Sequence, residues 1–129
     1  MDELLSRARD ALDAAHAPYS EYPVGAALET ADGTVYTGCN VENANYSNSL
    51  HAEEVALGAA VRDGHREFGR LAVASAARDG LTPCGTCRQT LVEFCGPEFV
   101  VICDDSDPIE YALGDLLPDT ITGEMLDDE

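Results

Sequence analysis

Two compact groups of residues in this chain could hold a metal ion or move a proton. His51 and Glu53 stand in the sequence HAEE, and Cys84 and Cys87 stand in the sequence PCGTC about thirty residues later. Imidazole and thiolate are common zinc ligands, and a carboxylate can carry protons during a reaction. The chemistry depends on whether the two groups meet in space.

The two cysteines have the C-x-x-C spacing that suits one tetrahedral zinc ion. With Thr82 as N-cap and Pro83 as the first residue, a helix is predicted to begin here. Cys84 and Cys87 would then lie on one side of its first turn, where the helix N-terminus favours the ionised thiolates. A redox pair or two buried structural thiols would show the same spacing. Taken alone, this motif leaves metal binding and redox chemistry open.

The position of His51 favours the metal. If Ser49 is the N-cap of a helix predicted over about 50–62, His51 lies in the first helical turn. A lone histidine at a helix start is more often a capping or surface residue than a ligand. Two facing helix N-termini could nevertheless supply one imidazole and two thiolates, with the fourth coordination position open for water. Such a site would be neutral, which should help to lower the pKa of the bound water.

Glu53 follows His51 by two residues and points to roughly the opposite side of an ideal helix. Direct ligation of one ion by both side chains would therefore be strained. At a helix N-terminus, the carboxylate of Glu53 could instead reach over the open coordination position. A surface glutamate favoured by the helix dipole is the alternative, and Glu54 fits that alternative better.

The elements that must position these groups alternate between helices and strands. We predict a helix at 2–16, strands at 24–30 and 34–40 joined by a turn at Asp32-Gly33, a helix at 50–62, a strand at 70–77, a helix at 82–94, a strand at 99–103 and a short helix near 114–118. This order predicts a single domain over residues 1–129, an α/β fold whose mixed sheet is covered on both faces.

The charge balance limits the partners. Asp and Glu number 25 against seven Arg and no Lys, which gives a formal net charge of -18. Because phosphate contacts need basic residues, this surface disfavours nucleic acid and anionic membranes. The composition resembles that of proteins from salt-loving organisms. The apolar runs are too short to span a membrane, and the first ten residues are too charged for a secretory signal. We therefore predict a cytoplasmic protein whose five cysteines are reduced.

The motifs occur together in a known order. H-x-E followed by P-C-x-x-C is the signature of zinc nucleobase deaminases, and the chain resembles the small cytidine deaminases over nearly its whole length. The segments that carry the resemblance are APYSEYPVGAAL, GCNVENANYSNSLHAEE, PCGTCRQ and the later LLP. The resemblance implies a three-layer α/β/α sandwich with a mixed sheet of about five strands.

The resemblance also implies a role for each matching residue of the reaction centre. His51, Cys84 and Cys87 would hold one Zn²⁺ per subunit. A zinc-activated water would attack C4 of the cytosine ring, while Glu53 would deliver protons to N3 and to the leaving ammonia. The implied enzyme is a hydrolase acting on a cyclic amidine C–N bond, which converts cytidine and 2'-deoxycytidine to uridine and 2'-deoxyuridine in pyrimidine salvage.

Five further residues match positions that bind the nucleoside. Asn40 and Glu42 would bind ribose hydroxyls, since an amide and a carboxylate can satisfy a sugar edge. Tyr22 would pack near the base, and backbone groups around Ala44 and Ala52 would contact the base edge. An ordinary polar loop is the alternative for this region.

The chain departs from the family pattern in two places. Many small, tetrameric members have Cys at the position of His51 and Arg at the position of Glu54. A third thiolate would add negative charge that an arginine can offset, and a neutral His51 weakens that need. The small members also carry an aromatic residue shortly after LLP that reaches a neighbouring subunit's site, where this chain has Ile121. A homo-oligomer, most often a tetramer, is still implied.

Two other functions are compatible with these residues. One is deamination of a related cytosine nucleoside such as blasticidin S, which shares the signature. The other is a structural zinc module, whose site would be closed by a fourth protein ligand. Cys39, Cys95 and Cys103 are the candidates for that ligand, although ordinary core packing is the favoured interpretation for all three.

Overall fold

The computed structural model describes residues 3–44, 50–75, 85–104 and 108–116, with residues 85–88 described by their backbone. The elements in these ranges are α1 Glu3–Ala11, a following 3-10 turn Leu12–Ala14, β1 Val24–Thr30, β2 Val35–Cys39, α2 Ala52–Arg62, β3 Phe68–Ser75, α3 Gly85–Val92, β4 Val100–Cys103, β5 Ile109–Ala112 and α4 Leu113–Leu116. Among these helices, none has the length and apolar character needed to cross a bilayer.

The strands form one mixed sheet in the order β2-β1-β3-β4-β5. β1 is antiparallel to both β2 and β3, whereas β3 and β4 are parallel. β2, β3 and β4 therefore all run in the same direction. Their last residues, Cys39, Ser75 and Cys103, lie at one edge of the sheet, which we call the carboxyl edge. Open α/β sheets bind ligands at this kind of edge.

Helices cover both faces of the sheet, as predicted for a three-layer α/β/α sandwich. Alternate residues of β1 point to opposite faces, so Ala26 and Leu28 join one buried cluster and Ala27 joins the other. The first cluster includes buried residues of α2, α3 and α4. The second includes Leu4, Leu5 and Ala8 of α1. Small side chains on the strands let the helices approach closely.

Two glycines mark the closest helix–strand contacts. A Cβ atom on Gly38 of β2 would lie 2.7 Å from the backbone nitrogen of Ala56 and 3.0 Å from Cβ of Val55. A Cβ atom on Gly25 of β1 would lie 3.0 Å from the backbone nitrogen of Leu12. Both glycines therefore permit direct backbone contact, and the contact at Gly38 fixes where α2 begins above the sheet.

The structure corrects several predicted limits. The first helix keeps its α-form only to Ala11 and then tightens into the 3-10 turn. The second begins at Ala52 rather than near residue 50, and its N-cap is His51 instead of Ser49, which lies outside the described residues. The strand β5 was not among the helices and strands predicted from the sequence. It is four residues long, too short for its alternation to stand out from a loop.

Candidate active site

The carboxyl edge brings two helix starts together. β3 and β4 are parallel neighbours, so α3, which connects them, runs antiparallel to both and begins at the carboxyl edge. α2 connects β2 to the similarly directed β3 and begins at the same edge, beside Gly38. The backbone thus agrees with the predicted convergence of two helix N-termini. Cys87 belongs to the first turn of α3, and Cys84 lies outside the described residues.

His51 is the N-cap residue of α2. Its backbone is extended, with φ −87° and ψ 147°, and its side chain makes no capping hydrogen bond. Ser, Thr, Asp and Asn are the residues that cap helices well, so histidine contributes little to helix stability at this position. His51 is thus the N-cap by backbone position, although its side chain does not cap the helix, and its exposure agrees with the alternative of a surface residue. The imidazole is about half exposed, and its Nε2 lies 3.8 Å from Oε1 of Glu54, too far for a hydrogen bond.

Glu53 is buried at the second position of α2, with only 6% of its surface exposed. Glu54, its neighbour, is half-buried. Glutamate is seldom buried unless its carboxylate is paired or hydrogen-bonded, because desolvation of the charge is costly. The interpretation of Glu53 as a solvated surface residue is wrong, and a buried carboxylate at the carboxyl edge is the kind of group that can exchange protons with a ligand.

The segment from Asn40 to Glu42 is pinned beside the start of α2. Val41 exchanges two backbone hydrogen bonds with Leu50, at 2.9 Å and 2.8 Å. On its other side, the amide of Glu42 donates to the carbonyl of His16 at 2.8 Å, and the amide of His16 donates to the carbonyl of Asn40 at 3.0 Å. The predicted sugar-binding residues therefore lie next to the chain that leads into His51 and Glu53.

Asn40 uses both ends of its side-chain amide to hold the chain that enters β1. The backbone nitrogen of Val24 donates to its Oδ1 at 2.9 Å. Its Nδ2 donates to the carbonyl of Tyr22 at 2.9 Å. Since an amide can make about four hydrogen bonds, one donor and one acceptor position remain beyond these two contacts.

Glu42 is held by the turn at residues 18–20. The backbone nitrogens of Tyr19 and Ser20 both donate to its Oε1, each at 3.1 Å, and the hydroxyl of Ser20 donates to its Oε2. The hydroxyl bond is the main cause that holds the pKa of Glu42 below its ordinary value, followed by the backbone bond from Ser20. Glu42 is therefore a fixed, ionised acceptor at neutral pH.

Tyr22 is half-buried, and its hydroxyl oxygen is fully buried with no hydrogen-bond partner within the part of the chain that the structure describes. Ala52 is buried as the first residue of α2, whereas Ala44 is exposed on the loop that follows Glu42. Tyr22, Asn40, Glu42 and Ala52 thus belong to one connected region beside the start of α2.

Sequence reasoning did not single out several polar residues that build this region. Ser20 binds Glu42, and Ser75, at the end of β3, donates to the carbonyl of Pro23 at 2.6 Å. Asp104 follows β4 at the carboxyl edge, is buried, and receives a two-pronged hydrogen bond from Arg9 of α1, with Nε to Oδ2 at 2.7 Å. A polar residue directly after a parallel strand is the sequence signal that could have identified Asp104.

The candidates for a fourth zinc ligand occupy different surroundings. Cys103 is fully buried in the core, and Cys95 packs against the same core cluster. Both positions agree with the interpretation of these cysteines as core residues. Burial, and after it the carboxylate of Glu98, raises the pKa of Cys95 to about 12. In the absence of a metal that thiol is protonated at neutral pH, as expected for a thiol packed in the core. Cys39 is half-buried at the end of β2, and all three carry free thiols.

The donor set predicted from the sequence is chemically suited to zinc. One imidazole and two thiolates on two helix starts leave a tetrahedral ion with one open position. The described side chains form no group of three metal-ligating residues, and the thiols of Cys84 and Cys87 lie outside that set. Of the three predicted ligands, the structure describes the surroundings of His51.

Known proteins resemble this chain over nearly its full length. A family model, the cytidine and deoxycytidylate deaminase zinc-binding region, matches residues 1–103. A cytidine deaminase of Sporosarcina psychrophila is 41% identical over 128 residues, which cover 98% of this chain and 94% of that protein.

Solved structures agree with the family match. A cytidine deaminase from Burkholderia pseudomallei superposes with a TM-score of 0.88 at 42% identity, covering 94% of this chain and 100% of that one. The enzyme from Mycobacterium tuberculosis gives a TM-score of 0.81 at 41% identity, covering 92% and 94% of the two chains. By the match to the family model and the identity to these relatives, this chain belongs to the cytidine deaminase family.

Proposed function

We propose that this protein is a zinc-dependent hydrolase that deaminates cytidine and 2'-deoxycytidine to uridine and 2'-deoxyuridine with release of ammonia. The observation that carries the proposal is the buried carboxylate of Glu53 at the carboxyl edge, next to the pinned segment from Asn40 to Glu42. Family membership over nearly the whole chain supports the same reaction. The chain would act as a single domain spanning residues 1–129.

His51, Cys84 and Cys87 would hold the zinc ion. His51 is the N-cap residue of α2 and makes no side-chain capping hydrogen bond, and Cys87 belongs to the first turn of α3 at the same edge. The helix N-termini would favour the ionised thiolates. Bound zinc supplies a Lewis acid that makes a water molecule nucleophilic at neutral pH.

Glu53 would carry the protons of the reaction. Its carboxylate would accept one proton from the attacking water and deliver it to N3 of the ring. It would then take the second proton of that water from the hydroxyl on C4 and pass it to the amino group, which leaves as ammonia while the C4 carbonyl forms. Burial suits this task, because a carboxyl group shielded from solvent exchanges protons with the bound ligand rather than with bulk water. The rigid start of α2, which contacts β2 at Gly38, would keep the group in place.

The residues on the substrate side of the pocket would recognise the nucleoside through the donor and acceptor positions that their other contacts leave open. Glu42 would accept a sugar hydroxyl, and Asn40 would offer one donor and one acceptor. Tyr22 would pack near the base, and the backbone around Ala44 and Ala52 would meet the base edge. The chain is poorly suited to bind a nucleotide phosphate or a polynucleotide, because it has seven basic residues and a net charge of -18.

The replacement of the family's usual Cys by His51 would give a neutral metal site. Glu54 lies close to His51, where many relatives would have Arg. With two thiolates instead of three there is no surplus charge for an arginine to offset, so the two replacements belong together.

We further propose a cytoplasmic homotetramer from a salt-adapted organism. The acidic composition supports salt adaptation, because dissolved salt screens repulsion among carboxylates. We expect the temperature of thermal unfolding to rise from dilute buffer to molar potassium chloride. Maximal stability without salt would contradict the proposed salt adaptation. Light scattering tests the tetramer, whose subunit mass is 13.7 kDa.

The test of the function is a cytidine deamination assay on Glu53→Gln. This substitution keeps the shape of the side chain but removes its proton-carrying ability, so kcat should fall by a factor of about a thousand. Zinc content, measured by atomic absorption, should stay at one ion per subunit. Glu110→Gln is the matched control, because Glu110 is exposed on the edge strand β5.

Two results would contradict the proposal. An active Glu53→Gln protein would remove the proton-carrying role from this residue. Wild-type protein that carries zinc but releases no ammonia from cytidine would exclude the reaction itself. Parallel assays with cytosine, cytidine monophosphate and blasticidin S would then show whether a related compound is the substrate.

A further inference from the structure

The turn between α1 and β1, residues 17–23, has little regular structure, yet it carries Tyr22 into the candidate pocket. The side chains of Asn40 and Glu42, the two residues proposed to bind the sugar, form hydrogen bonds with the backbone of this turn. The residues that would bind the ligand are therefore also the residues that order the turn. A group that controls this contact would control substrate binding.

Ser20 is the centre of that contact. Its hydroxyl donates to Oε2 of Glu42 and accepts a hydrogen bond from the backbone nitrogen of Tyr22 at 3.1 Å. Its own backbone nitrogen donates to Oε1 of Glu42 at 3.1 Å. One side chain thus joins the acceptor for the sugar to the main chain of the residue that packs near the base.

The backbone conformation of the turn supports a built arrangement. Glu21, between Ser20 and Tyr22, has φ +56° and is the one non-glycine residue in the left-handed region within the described chain. This conformation is unfavourable for a residue with a side chain and persists where surrounding contacts impose it. A backbone bond from Glu21 to the carbonyl of Ala17, at 3.0 Å, and the Ser20 bonds are those contacts.

The number of acceptor positions on Glu42 gives the turn a consequence for specificity. A carboxylate offers about four acceptor positions. Tyr19 and Ser20 occupy three of them within the described structure, two on Oε1 and one on Oε2. One position on Oε2 is left, and its direction is set by the Ser20 hydroxyl.

We propose that Ser20 is a positioning residue for the nucleoside: its hydroxyl orients Glu42 so that a single acceptor position faces a sugar hydroxyl, and it holds the main chain of Tyr22 in register. The inference rests on the proposed function, since it assumes that Glu42 meets the sugar. Ser20 itself acts through Glu42 and Tyr22. Its effect therefore depends on whether the substrate has the hydroxyls that Glu42 would bind.

The experiment measures steady-state kinetics of Ser20→Ala and Ser20→Thr with cytidine and with 2',3'-dideoxycytidine. Ser20→Ala should raise KM for cytidine about tenfold, the effect expected for a lost hydrogen bond to a charged group, with kcat changed less than about threefold. Ser20→Thr keeps the hydroxyl and should restore KM to within about threefold of wild type. Ser6→Ala, at an exposed serine of α1, is the control.

The dideoxy substrate separates positioning from a general loss of structure. Without the 2'- and 3'-hydroxyls that Glu42 is proposed to bind, KM should differ less than about twofold between wild type and Ser20→Ala. In a Glu42→Gln background, the further substitution Ser20→Ala should likewise change KM for cytidine little. Should Ser20→Ala not fold, Ser20→Cys, which weakens the hydrogen bonds at similar size, gives the same comparison.

Two outcomes overturn the inference while leaving the function intact: unchanged cytidine kinetics in Ser20→Ala, or equal losses on cytidine and its dideoxy analogue. A wild-type protein that deaminates neither nucleoside overturns the proposed function instead. The two failures are therefore distinguishable by the wild-type assay alone.

Discussion

The sheet interior and the pocket wall of this protein are held together by different forces. The sheet interior consists of fully buried small and branched residues, such as Ala26, Leu71 and Val73, that pack against the helices. The pocket wall, which we define as residues 16–24, 40–42 and 50–53, is joined largely by hydrogen bonds to backbone groups. Shape fixes the first region, and directional polar bonds fix the second.

This difference separates stability from ligand recognition. Close packing in the interior resists any change of volume, so substitutions there act on folding. In the pocket wall, Asn40 and Glu42 keep donor or acceptor positions for the nucleoside that we propose as substrate. We expect substitutions in the wall to change substrate binding more than folding, and substitutions in the interior to do the reverse.

The largest expected effect on stability is at Gly38, where the interior meets the start of α2. A methyl group in Gly38→Ala would press against the backbone of Ala56, so the free energy of unfolding should fall by about 3 kcal/mol. Displacement of α2 should also lower kcat, because Glu53 moves with it. Chemical denaturation and the deamination assay measure the two effects.

Gly58→Ala is the matched control on the same helix. Apart from the backbone of α2 itself, the described part of the chain has no atom within 4 Å of a Cβ built at Gly58. Replacing glycine by alanine within a helix should then raise the free energy of unfolding by about 1 kcal/mol. Equal effects of the two substitutions would show that Gly38 does not fix the position of α2.

A smaller effect is expected at the ion pair between Arg9 and Asp104, which joins α1 to the carboxyl edge. Asp104→Asn removes a buried charge acceptor, so the free energy of unfolding should fall by about 2 kcal/mol. Glu29→Gln is the control, since its pair with Arg70 is longer, at 3.4 Å, and more exposed. That substitution should cost about 0.5 kcal/mol or less, and a larger loss than at Asp104 would contradict the assignment.

The smallest effect is a pH dependence from the hairpin turn, far from the pocket wall. The hydroxyl of Thr30, followed by the backbone and hydroxyl of Thr34, lowers the pKa of Asp32 from 3.8 to about 2. The folded pKa is depressed, so this contribution to stability is present above pH 3.8 and is lost as pH falls through about 2.

Thr30→Val should bring the pKa of Asp32 closer to its ordinary value and so reduce the loss of stability on acidification. Denaturation curves at several pH values between about 5 and 2 measure that slope. Thr37→Val, at an exposed position of β2, is the control. An acid slope that Thr30→Val leaves unchanged would rule out this hydroxyl as the cause.

Sequence reasoning predicted the sheet interior better than the pocket wall, for a physical reason. The two strand-like runs and the turn at Gly33, whose φ is +92°, are local patterns, so the hairpin was confirmed with nearly correct limits. Arg9 and Asp104, in contrast, are 95 residues apart, and Ser20 and Glu42 are 22 apart. No local periodicity encodes such pairs, since they depend on how the elements assemble.

The candidate site shows both behaviours. His51 and Glu53 were identified by type and spacing, yet their surroundings were not foreseen: His51 is the N-cap rather than a first-turn residue, and Glu53 is buried. Those positions follow from the bridge between Val41 and Leu50, which delays the start of α2 until Ala52. Ligation of zinc by His51, Cys84 and Cys87 and the proton-carrying role of Glu53 stay predictions.

X-ray absorption at the zinc edge of the purified protein tests the central claim most directly. The account predicts one zinc ion bound by two sulfur atoms at about 2.3 Å and two nitrogen or oxygen atoms at about 2.0 Å, one of them from an imidazole. His51→Cys should convert the spectrum to three sulfur atoms. A wild-type spectrum with three or four sulfur atoms, or without an imidazole, would contradict the account.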